Sequence, residues 1–250
     1  MDLILPDWVG SPFNIGAFST SRRGGFSRPP YDDGSGGGGL NLGLHVDDEP
    51  EQVGRNRLLL GSLLPAQPTW LTQVHGTAVV NASGAAVASR ADASITSERG
   101  VVCAIQTADC LPVLFCDVAG GVVGAAHAGW RGLVGGILEN TVSGMRDLGA
   151  TEILAWLGPA IGPERFEVGE DVLNAFAARD PATGAAFKRI DGRPEKYLAD
   201  IYHLARIFLS RHGVQRIYGG DMCTMTDAGH FYSYRRDKLT GRMASVIWIK

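Results

Sequence analysis

Three near-continuous apolar runs dominate the hydrophobic pattern: Val101 to Gln106, Pro112 to Asp117 and Gly121 to Ala126. Runs of strand length without polar alternation suit strands covered on both faces. Phe13 to Thr20 alternates loosely and predicts another strand, followed by Arg22, Arg23, Gly24 and Gly25 in a loop. Short strands are expected at Trp70 to Val74 and Thr77 to Asn81, on either side of His75-Gly76. Ile153 to Leu157 reads as a strand stopped by Gly-Pro-Ala-Ile-Gly-Pro, and Val214 to Tyr218 and Ser245 to Ile249 as closing strands.

A period near 3.6 residues appears between these runs. Asp47 to Leu64 predicts a helix with Asp48 as N-cap, Pro50 in its first turn, and Val53, Leu58 and Leu60 among its apolar positions. Arg131 to Leu148 carries Leu133, Ile137, Leu138, Val142 and Met145 at helical spacing and ends at Gly149. Further helices are expected over Glu170 to Arg179 and Leu198 to His212, the second stopped by Gly213. Gly34 to Gly39 is a flexible loop tip, and the Ala/Ser-rich stretch from Asn81 to Ala91 is a connector. No internal repeat or linker divides the pattern. The expectation is one layered α/β (α+β) domain over residues 1–250, with mixed β-sheets flanked by helices.

Composition narrows the class. Hydrophobic residues make up 45% of the 250-residue chain and charged residues 20%, a globular balance with a net charge of −3. That charge forces no basic patch, so nucleic acid is not the expected partner. Asp117 and glycines interrupt the longest apolar run, which argues against a membrane span, and Met1 to Trp8 has no basic n-region. Four cysteines without Cys-x-x-Cys spacing do not form a disulfide framework, so a reduced, cytoplasmic protein is expected, monomer or homodimer.

Candidate chemistry gathers between Thr107 and Gly132. Cys110 interrupts its apolar run at Ala-Asp-Cys, His127 stands before Gly-Trp-Arg-Gly, and His75 lies in Gln-Val-His-Gly. Cys103 and Cys116 lie within strand runs and read as inert core. Two imidazoles and a thiol could hold a catalytic zinc with one position open, and they also suit copper. Cys110 and His127 could equally form a nucleophile and general base, which would need a third group to orient the imidazole. Asp109 is a poor candidate for that third group, because neighbours on an extended strand point to opposite faces. The start of a helix at Gly129 to Gly132, with Arg22, Arg23 and Arg131, could bind an anion.

Longer motifs then become recognisable. Gln73 to Gly76, Thr107 to Leu114, Ala125 to Gly132, Trp156 to Gly169 and Phe231 to Ala244 resemble the YfiH family, once labelled multicopper polyphenol oxidases or laccases, as do Asn41 to His45 and Cys223-Thr224. The resemblance implies a metal-dependent purine nucleoside enzyme. It would phosphorolyse adenosine, inosine, guanosine and methylthioadenosine and deaminate adenosine, with purine nucleosides and phosphate as its small-molecule partners. His75, Cys110 and His127 carry over by motif as ligands of the metal, Zn2+ or Cu2+, and as the catalytic group. Arg22 and Asn41 carry over as substrate or phosphate contacts, with Arg131 a second choice for phosphate. Some family members are described instead as peptidoglycan editing factors that remove L-serine from cell-wall precursors. The implied fold is similar to cysteine hydrolases of the cytotoxic necrotising factor type. A copper polyphenol oxidase is the weakest expectation, since multicopper clusters need more histidines than the six here. The family pattern is lengthened at Tyr31 to Gly43, beside Asn41.

Overall fold

The apolar runs fold as strands stacked in layers, and the computed structural model describes residues 1–86 and 88–250. One sheet has four antiparallel strands in the order β1 (Leu3–Ile4), β2 (Ile15–Thr20), β14 (Met243–Ile249) and β6 (Val102–Thr107). A second has six strands, ordered β13 (Arg216–Gly219), β9 (Ile153–Leu157), β7 (Leu111–Asp117), β8 (Val123–Ala128), β5 (Ala93–Thr96) and β4 (Val79–Asn81). It is mixed, with parallel pairs at its two edges and antiparallel pairs between them. A small antiparallel sheet, β10 (Glu167–Gly169), β12 (Arg193–Ala199) and β11 (Phe187–Ile190), lies apart from both. The remaining strand is β3 (Arg23–Ser27), and α1 (Pro50–Gly61) and α6 (Tyr234–Asp237) are the first and last helices.

Three cores explain why β6, β7 and β8 lack polar alternation. Cys103 and Ile105 of β6 meet Leu114, Cys116, Val123 and Ala125 between the two large sheets. The opposite face of the six-stranded sheet presents Val113, Phe115, Ala126 and Ala155 to the helices α3 (Ile137–Asp147), α4 (Glu170–Arg179) and α5 (Ile201–Arg211). Every residue of β7 is therefore buried, whichever face it points to. Helix α1 covers the outer face of the four-stranded sheet, where Leu60 packs with Phe18, Val102 and Val246. The result is the expected layered α/β arrangement. Among the described residues, no helix is long and apolar enough to cross a membrane.

Several local expectations are corrected. The helix expected over Arg131 to Leu148 is two helices, α2 (Trp130–Gly135) and α3, broken where Gly136 takes a left-handed φ of 106°. Apolar spacing continues across the break because both helices face the same core, so periodicity alone does not reveal it. Leu198 and Ala199 belong to β12, which is held by strand pairing, and α5 begins only after Asp200, whose side chain accepts from His203 N–H at 2.9 Å. Asp48 is not the α1 cap: Glu49 holds that position without a side-chain bond, while Asp48 accepts from Ser27 and Asn41. Trp70 to Val74 makes one isolated bridge, from Thr72 to Arg90, and Thr69 just before it makes another to Cys103. Strand β3 replaces an expected loop, and β8 runs two residues further than its apolar run, taking His127 inside the sheet.

Candidate functional site

Cys110 sits where the chain crosses from one large sheet to the other. Strand β6 ends at Thr107 and β7 begins at Leu111, so Ala108-Asp109-Cys110 makes the crossing. Asp109 adopts φ 86°, a conformation that L side chains rarely take. Its carboxylate fastens the turn, accepting from the Thr224 hydroxyl and from Arg235 N–H, both at 2.6 Å. Its backbone carbonyl accepts from Ile161 N–H at 2.9 Å. The aspartate beside the thiol is thus a backbone clamp and does not orient an imidazole.

That task falls to Asp92, a residue the sequence left in an unassigned stretch. Asp92 is fully buried just before β5. Its Oδ1 lies 2.8 Å from His127 Nδ1 and accepts from His75 N–H at 2.9 Å. Its Oδ2 accepts from Gly76 N–H at 2.7 Å and from Val74 N–H at 3.2 Å. One carboxylate therefore aims His127 from its strand and also fastens the Val74-His75-Gly76 turn, in which His75 has φ 60°. The sequence signal for Asp92 was a lone carboxylate inside Arg-Ala-Asp-Ala-Ser, next to residues small enough to be buried.

The three expected donors come together. One ligand atom each from His75, Cys110 and His127 lies within 4.8 Å of the others, and Cys110 Sγ is 3.7 Å from His75 Nε2. Ligand atoms on one tetrahedral zinc stand roughly 3.5 Å apart, from Zn–N of about 2.0 Å and Zn–S of about 2.3 Å. The donor set fits such an ion after small side-chain rotations. Asp92 on Nδ1 leaves Nε2 of His127 as its free donor, the usual carboxylate–imidazole support for a ligand.

Burial by itself would raise the Cys110 thiol, but hydrogen bonding and charge from His127 and then His75 bring it down to about 6. His127 moves the opposite way. Its burial favours the neutral ring, which Asp92 and Cys110 outweigh, raising it to about 9. Cys103 and Cys116, in apolar surroundings, are pushed up to about 12.

The glycines after His127 make room for this arrangement. A Cβ on Gly129 would stand 2.7 Å from His75 Cδ2 and 3.3 Å from Cys110 Sγ, and one on Gly132 would stand 2.8 Å from the Gly76 carbonyl oxygen.

The donors line a cavity of about 700 Å³ together with Arg57, Trp70, Gln106, Tyr234 and Arg242. That volume falls within the roughly 300–1,000 Å³ of small-molecule sites. Arg57 lies 4.3 Å above the Trp70 ring and donates from Nε to Leu42 O; Arg242 donates from one nitrogen to Thr240 O and Gly241 O. Among the described residues neither has a carboxylate within ion-pair distance, so both present positive charge to the cavity. His45 lies on the same wall, held below its ordinary value first by burial and then by the charges of Arg242 and Arg57.

Arg22, Asn41 and Arg131 lie away from this cavity. Arg22 is buried and donates to Asp32 O and Ala228 O, with its guanidinium 4.8 Å from the Tyr232 ring centre. Asn41, also buried, accepts from Gly43 and Arg242 N–H at 2.9 Å and donates to Asp48. It sets the backbone that carries Arg242. Arg131 is exposed and lies over its neighbour Trp130. Arg57 stands in a helix outside any motif, and Arg242, although inside the Phe231 to Ala244 motif, is not marked there by anything that separates it from Arg235 and Arg236.

Known proteins resemble the whole chain. A family model described as multi-copper polyphenol oxidoreductase laccase matches residues 16–250. A relative from Escherichia coli named purine nucleoside phosphorylase YfiH is 54% identical, over 99% of this chain and 98% of its own. A purine nucleoside phosphorylase of Pseudomonas aeruginosa is 50% identical, over 99% and 98%. The crystal structure of a Neisseria meningitidis protein superposes with a TM-score of 0.91 at 46% identity, covering 100% of both chains. A Bacillus licheniformis protein titled YfiH gives 0.84 at 29% identity, over 94% and 93%. With a matching model over nearly its full length and relatives at this identity, the chain belongs to the YfiH family, whose model carries the multi-copper polyphenol oxidoreductase laccase description.

Proposed function

We propose that this protein is a purine nucleoside phosphorylase in which His75, Cys110 and His127 hold a metal ion, zinc before copper. The observation that carries the reading is one cavity lined both by a thiolate–imidazole donor set and by two arginines without carboxylate partners. The relatives' names point the same way. When bound, the metal supplies Lewis-acid charge stabilisation. Arg57 and Arg242 bind and orient hydrogen phosphate, offering forked donors that match its oxygens. A phosphate oxygen forms a bond to the ribose anomeric carbon. The bond from that carbon to the purine nitrogen breaks with its electron pair on the base, and the proton of hydrogen phosphate ends on the released purine. Gln106 donates to Leu42 O at 2.6 Å, leaving its own carbonyl oxygen to accept from a ribose hydroxyl.

Adenosine, inosine, guanosine and methylthioadenosine are the substrates to assay. Adenosine deamination is the subsidiary activity: the donor set suits water activation, but among the described residues no Asp or Glu lines this cavity to relay the protons. A second reading has its own support in the Cys110–His127–Asp92 order, which is that of a cysteine hydrolase and would suit release of L-serine from a UDP-MurNAc precursor.

Metal analysis of the purified protein, coupled to product analysis with adenosine and inosine with and without phosphate, separates these readings. Phosphate-dependent release of base, lost together with the metal in folded Cys110→Ala, supports the phosphorylase. Inert nucleosides with serine release support the hydrolase. Oxygen-dependent phenol oxidation with blue-copper absorption would overturn both.

A further inference from the structure

A second, smaller cavity adjoins Cys110, with a volume of about 140 Å³. Its walls are Trp130, Ile161, Phe166, Ile201 and Tyr234. Ile161, Phe166 and Ile201 are buried, coming respectively from the loop after β9, the approach to β10 and the start of α5. Of the polar groups beside it, Asp109 is fully engaged and Arg235 in part. Both Asp109 oxygens accept hydrogen bonds, and the Arg235 guanidinium donates to Glu167 O at 2.7 Å and lies 5.7 Å from the Phe166 ring centre. What remains is an apolar, largely aromatic slot. A cavity near 150 Å³ with apolar walls takes one aromatic ring system, and this one is too small for a whole nucleoside.

Its position gives the slot a role. Ala108, Cys110 and Tyr234 line both this cavity and the larger one, so the two meet at the thiol. The larger cavity carries Arg57, Arg242 and two amides, and the smaller is mainly apolar, with the remaining Arg235 N–H groups at its margin. We infer that the smaller cavity is the subsite for the purine ring, with the glycosidic bond at the Cys110 boundary and phosphate on the Arg57 and Arg242 side. This rests on the phosphorylase reading and deepens it. Displacement at the anomeric carbon needs the attacking oxygen and the departing base on opposite sides, which two cavities meeting at one boundary provide. Ring recognition is then by stacking and apolar contact, with Trp130, Phe166 and Tyr234 as the surfaces that set base affinity.

The test uses the metal-loaded, full-length protein. Ile201→Phe fills the slot without touching the donors or the arginines. It is expected to raise both the nucleoside KM and the inhibition constant of free hypoxanthine by at least about tenfold, the usual scale for a misfit in an apolar pocket. The phosphate KM and the metal content should stay at wild-type values. Hypoxanthine is also expected to quench wild-type tryptophan fluorescence, with the quench lost in Trp130→Phe, a readout that survives should Ile201→Phe fail to fold. Unchanged hypoxanthine inhibition in folded Ile201→Phe, or an undiminished quench in Trp130→Phe, overturns the subsite. A wild-type protein that turns over no nucleoside sinks the phosphorylase reading alone. Equilibrium dialysis of hypoxanthine against wild type and Ile201→Phe then decides the slot by itself, and equal binding or none overturns it.

Discussion

Replacing Asp92 by Asn tests whether one carboxylate builds the donor set. The four hydrogen bonds that reach it come from Val74, His75 and Gly76 N–H and from the His127 ring. An amide in its place turns one oxygen into a donor, which then faces other donors, so two of the four bonds are lost. Bonds to a charged group contribute about 1.5–3 kcal/mol each, which makes the loss about 3–6 kcal/mol. The low end applies, because the His75 turn is exposed and water can satisfy the freed N–H groups. A loss of about 3 kcal/mol lowers Tm by roughly 6–12 °C in a chain of this size. Metal affinity should fall about 10–100-fold, the usual effect of removing the partner behind a ligating imidazole. The acid side of the stability profile carries a second signature. Burial alone would raise the Asp92 carboxyl, but the His127 hydrogen bond and the backbone donors hold it below its ordinary value. A carboxyl lowered on folding stabilises the protein above its unfolded pKa and loses that contribution as pH falls through the folded one. Asp92→Asn should therefore flatten the acid limb below about pH 4, relative to wild type. Thermal melts from pH 3 to 8, with chelator competition on the same samples, measure both effects. A variant that melts with wild type and holds metal as tightly would refute the reasoning.

Other outcomes follow from the same geometry. Gly129→Ala, at a φ of −63° that tolerates a side chain, should fold normally but displace His75 and weaken metal binding by at least about tenfold, read by chelator titration. In metal-stripped protein, iodoacetamide should modify Cys110 at a rate that halves only as pH drops through about 6, while Cys103 and Cys116, pushed up to about 12, stay unmodified by mass spectrometry. Deprotonation makes a thiol nucleophilic, so the rate rises with pH up to that value and then levels. Arg22→Ala strands two carbonyls and removes a buried guanidinium from Tyr232, so it should cost roughly 1–3 kcal/mol in a denaturant melt and leave the phosphate KM unchanged.

The layered α/β fold was legible wherever burial is simple. Strands β6, β7 and β8 are buried on both faces, so their apolar runs mark them without reference to the rest of the chain. The break at Gly136 and the start of α5 at Ile201 were not legible, because side-chain spacing passes through a backbone kink and strand pairing overrides helical propensity. The β10–β12–β11 sheet was missed as well. It is short and half-exposed, and its strands are defined by their partners, with little hydrophobic run of their own.

For the site, the sequence by itself determined the donor chemistry. A thiol and two imidazoles at strand ends or tight turns offer a metal set or a nucleophile and base, and the motifs around them point to the metal by resemblance. Tertiary structure brought the expected three together, and it alone decided that Asp92 is their common support and that Arg57 and Arg242 supply the cavity's positive charge while Arg22 and Asn41 hold the fold together. The physical reason is that a donor's identity is a local property of the chain. A hydrogen bond between residues 35 apart, or a charge left without its counter-ion, exists only once the sheets have brought distant segments together.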